Sequence, residues 1–119
     1  MISPASNTED LIRIEYEGAA PSFGGFDSAD FAIDRPGHHI LEVNLRLSSD
    51  ARALFETALR AAGVPGLDAH GVANLMRELG QRQYRDLARQ DEILAIITLR
   101  ARDIEASAVN EILSGAGLL

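Results

Sequence analysis

Hydrophobic residues recur every second position as far as about Ser48, and at three- and four-residue steps beyond it. In residues 11–16, Ile12, Ile14 and Tyr16 fall on one side while Arg13, Glu15 and Glu17 fall on the other, the pattern of a half-buried strand. Phe31 and Ile33 share one face of a second short strand that stops at Arg35-Pro36-Gly37-His38. Proline presets φ and glycine accepts positive φ, so the chain should reverse there in a type II turn. Residues 39–47 alternate most cleanly, with Leu41, Val43, Leu45 and Leu47 inward and Glu42, Asn44 and Arg46 outward. Three segments with one polar face each predict a mainly antiparallel sheet covered on one side.

After Ser48 the period changes. Ser48 or Ser49 can accept the first free amides of a helix whose apolar stripe includes Leu54, Phe55, Ala58 and Leu59, and Gly63 suits its C-terminal cap. Asp68 is the candidate cap of a second helix carrying Val72, Leu75, Met76 and Leu79, which Gly71 weakens and Gly80 would end. Between Gln81 and Ser114 there is no glycine or proline. Leu87, Leu94, Ile97, Ala101, Ile104, Ala108 and Ile112 line one stripe, which favours one long helix, or two joined by a kink. The competing reading makes residues 93–101 a fourth strand, because Ile93, Ala95, Ile97 and Leu99 also alternate among β-branched neighbours. Strands first and helices after is the order of the α+β class: a three-stranded, mainly antiparallel sheet packed by two to four helices.

The length of 119 residues suits one domain over residues 10–119, behind a polar leader over residues 1–9 that contains Pro4. Hydrophobic content of 46% with 24% charged residues is that of a chain able to bury a core. The net charge of −7 is concentrated early, residues 1–40 holding seven acids against two arginines. A field of that sign repels phosphate backbones, so nucleic acid is a poor partner and a protein with a basic surface a better one. The longest apolar run, residues 93–97, is far short of a membrane span, and the first residues have neither a basic start nor an apolar signal region, so a cytoplasmic protein is the expectation.

All 11 basic residues are arginine, and cysteine is absent. That removes Schiff-base amines, thiolate nucleophiles, disulfides and sulfur ligands for metals. His38, His39 and His70 lack ligand spacing, since adjacent histidines on a strand point to opposite faces, so no metal or cofactor is expected. The pairs Glu15/Glu17 and Asp91/Glu92 read as solvated carboxylates rather than the unlike pair that acid–base catalysis needs. The glycine-rich residues 18–28 have the spacing of no phosphate-binding loop. Arg82, Arg85 and Arg89 form a helical stripe, but Glu78 and Asp86 are placed to pair with it.

What is left favours a non-enzymatic, acidic interaction protein, of the regulator, inhibitor or immunity type, and a homodimer. Phe23 and Phe26 are loop aromatics able to anchor a partner or fold over the core. Glu15, Glu17 and Glu42 form the acidic sheet face. Ile96 and Leu99 lie off the main stripe of the expected long helix and would need a second cover, for which another subunit is the candidate. A second class of function is a small-ligand-binding domain or cofactor-free enzyme with a pocket between sheet and helices lined by Tyr16, His39, His70 and Tyr84. A third is a structural part of a viral or secretion-type assembly.

Overall fold

The computed structural model describes residues 11–21 and 24–119, so the expected leader and Phe23 lie outside the described residues. β1 (Arg13–Ala19), β2 (Asp27–Asp34) and β3 (Leu41–Leu47) form an antiparallel meander. The helices α1 (Ser49–Ala61) and α2 (Ala69–Arg89) follow, and β4 (Ile96–Leu99) then returns beside β3 in parallel. A parallel neighbour requires such a crossover. Two single 3₁₀ turns, Ala101–Asp103 and Ala106–Ala108, lead to α3 (Val109–Gly115). The class is α+β, with one mixed four-stranded sheet in the order β1-β2-β3-β4 in place of the three strands expected.

Alternation along the strands sends Ile14, Phe31, Ile33, Val43, Leu45 and Leu47 into a core shared with Phe55, Leu59, Leu75 and Leu113. The β2–β3 turn forms as its residues dictate: the His38 amide donates to the Arg35 carbonyl at 3.1 Å, and Gly37 has φ 79°. Ser48 caps α1, its hydroxyl accepting the Ala51 amide at 3.2 Å, and Asp68 caps α2 by accepting the Gly71 amide at 2.7 Å. Arg52 joins three segments, contacting Glu56 at 2.6 Å, Asp27 at 3.2 Å and the Leu67 carbonyl at 3.3 Å.

Gly80 does not end α2. It lies buried within the helix, and a Cβ built there would stand 2.1 Å from Phe31 Cζ. The missing side chain is a seat for the Phe31 ring, which also packs edge-on against Tyr16 at 5.6 Å and against Tyr84 at 5.8 Å. Tyr84 is fully buried, and its hydroxyl donates to the Asn44 carbonyl at 3.0 Å. Burial and the charge of Asp30 push that phenol above its ordinary range, so it stays neutral and remains a donor.

The long helix expected across residues 81–114 is broken by Asp91. The Glu92 amide bonds the Leu87 carbonyl at 3.0 Å and the Asp91 amide the Ala88 carbonyl at 3.2 Å, a Schellman cap with Asp91 at φ 56°. Glycine holds the equivalent place after α1 (Gly63, φ 84°) and after α3 (Gly117, φ 75°). Here an aspartate takes it, held by Arg35 Nη1 at 2.6 Å. Aspartate is among the few non-glycine residues that tolerate this conformation. The chain then leaves the helix, and Ile97 and Leu99 enter the core as a strand.

Two outcomes follow from this packing. Gly80→Ala should lower the unfolding free energy by roughly 3 kcal/mol through overpacking against Phe31. In chemical denaturation, Gly80→Ala combined with Phe31→Leu should lose less than the sum of the single variants, because removing the ring removes the clash. Asp91→Asn should lower Tm at neutral pH. Arg35 holds the Asp91 carboxyl below its ordinary range by hydrogen bond and charge, so its stabilisation is present above the unfolded pKa and lost as pH falls through the folded one. The Tm curves of variant and parent should therefore converge in acid.

Candidate functional site

Strand alternation turns Glu15, Glu17, Asp30, Glu42, Asn44 and Ile96 to the sheet face opposite the core. Cross-strand register places Glu15, Ala32 and Glu42 in one row, and Asp30, Asn44 and Ile96 in the next. Glu17 joins them through a β-bulge. Pairing steps from Tyr16–Phe31 to Gly18–Asp30, so Glu17 is the extra residue, and Gly18 takes φ 126°.

These residues enclose a shallow groove of about 640 Å³, lined by Glu17, Asp30, Glu42, Val43, Asn44, Ala95 and Ile96. Carboxylates from β1, β2 and β3 face the apolar Ala95 and Ile96. Asn44 organises the floor: its amide donates to Ser28 Oγ at 2.8 Å and Asp30 Oδ1 at 2.9 Å, while its Oδ1 accepts from Arg46 Nε at 3.1 Å. Glu17 titrates above the ordinary carboxylate range. The first cause is a hydrogen bond with the Glu42 carboxyl, which requires a proton; partial desolvation and repulsion from Glu42, Asp30 and Glu15 add to it.

The structure thus gathers four of the residues marked as partner contacts, Glu15, Glu17, Glu42 and Ile96, on one face. Ile96 is 54% exposed. Leu99 is 6% exposed and belongs to the core, because the segment is a strand whose alternate residues point inward. Phe26 is half-buried with the Arg100 guanidinium 5.5 Å above its ring. The four residues of the alternative pocket are placed differently from one another. Tyr16 lines a cavity of about 230 Å³ between the sheet and α2, beneath Arg77 at 4.6 Å. His39 and His70 are exposed, in the β2–β3 turn and the first turn of α2, and Tyr84 is core. The arginine stripe of α2 is ion-paired, with Arg82 on Glu78 at 2.7 Å and Arg89 on Asp86 at 3.5 Å.

Sequence reasoning missed Asp30, whose alternation with Phe31 was legible had the second strand been extended back to Asp27. The bulge that swings Glu17 towards Glu42 carries only the signal of Gly18. No known family model matches the chain, and no curated protein or solved structure is detectably similar to it.

Glu17→Gln should raise stability at neutral pH. The folded-state pKa of Glu17 is raised, so its charged form disfavours folding above that pKa, and the penalty fades as pH falls through it. Urea titrations of variant and parent should differ near pH 7 and coincide once the carboxyls of the groove are protonated.

Proposed function

We propose that this chain is a non-enzymatic interaction protein that takes up a basic protein surface on its open sheet face. The observation that supports the reading is the crowding of Glu17, Asp30 and Glu42 beside the apolar Ala95 and Ile96 in one groove. An arginine or lysine of a partner has the matching form, an apolar stem ending in a cation. Its stem would lie along Ile96 and its head among the carboxylates.

Glu17 is raised first by its hydrogen bond with the Glu42 carboxyl, then by partial desolvation, and repulsion from Glu42, Asp30 and Glu15 adds to both. A cation entering the groove offsets the repulsive part of this, which adds to binding energy and speeds encounter. Masking a cationic surface in this way is the work of an inhibitor, a regulator or an immunity-type protein.

An arginine-rich peptide with one leucine, titrated into the labelled protein, should shift the amides of Glu17, Asp30, Glu42, Ala95 and Ile96 first. Reversing Glu17 and Glu42 to lysine should weaken binding by about tenfold or more. Affinity should fall in acid, as the groove takes up protons, and at high salt. Shifts spread evenly over Asp86, Glu105 and Glu111 would sink the proposal.

A further inference from the structure

We propose that two copies of this chain pair along their β4 edges, antiparallel about a two-fold axis at Ile96, to form one continuous eight-stranded sheet. The pairing needs no ligand in the acidic groove, although Ile96 belongs to both.

Among the described residues, β1 and β4 are the two edges of the sheet. The β1 edge is interrupted by the bulge at Gly18, and the Gln81 side chain reaches from α2 to donate to the Ile14 carbonyl. Both features blunt an edge against further pairing. β4 has neither. The Asn44 amide bonds the Ala95 carbonyl at 2.8 Å and the Ser48 amide the Leu99 carbonyl at 2.9 Å, so odd-numbered residues turn their backbone groups to β3. Alternation then directs the N–H and C=O of Ile96 and Thr98 outward. Beside them stand Leu94 and Ile96, 59% and 54% exposed.

The occupant is identified by the self-complementarity of the segment. With Ile96 opposite its own copy, Leu94 falls opposite Thr98, and the exposed Glu92 falls opposite the exposed Arg100. Apolar residues meet at the axis and opposite charges meet at both ends, twice over. Ile96 of each copy exchanges two backbone hydrogen bonds with its equivalent, while Glu92 and Arg100, whose amides are bonded to the Leu87 carbonyl and to Asp103, meet through their side chains alone. A contact along one four-residue strand is slighter than the interface of a permanent dimer, so association should be reversible.

Sedimentation equilibrium of the full chain over a hundredfold concentration range should show a monomer–dimer equilibrium. Ile96→Lys, which sets two like charges on the axis, should weaken it by at least about tenfold, with the circular dichroism spectrum of the folded chain retained because Ile96 is exposed. Glu92→Arg and Arg100→Glu should each weaken the dimer, and the double exchange should restore it. Amide exchange at Ile96 and Thr98 should slow as concentration rises, while Ile97 and Leu99 do not change. A monomer at every concentration overturns the proposal. So does a dimer indifferent to Ile96→Lys, or one dissociated instead by Leu54→Lys on α1.

Discussion

The fold depends on a contact between a ring and a helix backbone. Phe31, at the centre of β2, occupies the space that a side chain at position 80 would fill, and this lets α2 lie close across the sheet. Tyr16 and Tyr84 both pack on the ring, so one glycine lets three aromatics meet where α2 crosses the sheet. Close packing of this kind makes each methylene count. The Tyr84 hydroxyl, buried by the same approach, finds the Asn44 carbonyl, and so the helix is also tied by a hydrogen bond to the strand that bears the groove.

A second constraint decides how the chain leaves α2. Arg35 follows the last residue of β2, and its guanidinium meets Asp91 just past the helix, fixing an aspartate in a conformation usually left to glycine. Had the helix continued, Ile97 and Leu99 could not have entered the core beside β3. The sheet would have ended at β3, and the groove would lack its apolar wall. The Arg35–Asp91 pair therefore shapes the candidate site without taking part in it.

The open face combines two properties in tension. Like charges packed on neighbouring strands oppose one another, and that repulsion adds to the Glu42 hydrogen bond and partial desolvation in raising the titration of Glu17. Asn44 relieves part of it by donating its amide to Asp30, and Arg46 adds a cation in the next row. The remaining repulsion is what a basic partner would relieve. Beside it, the β4 edge offers backbone groups and apolar side chains, so a dimer would set two acidic grooves on the same side of a longer sheet.

Local pattern alone determined the meander, its polar face, the turn at Pro36-Gly37 and the caps at Ser48, Asp68 and Gly63. Each rests on residues adjacent in sequence or at one fixed period, and Glu15, Glu17 and Glu42 could be assigned to a common face for that reason. Residues 93–101 satisfied both the helical and the strand period, and no local rule separates the two in a short apolar run. Only the tertiary structure decided between them, by bringing Arg35 to Asp91 across 56 residues and offering β3 as a pairing edge. Gly80 was ambiguous in the same way. Alone it is a helix breaker, and against Phe31 it is the residue that fits, because the space available to a side chain is set by whichever distant segment packs there.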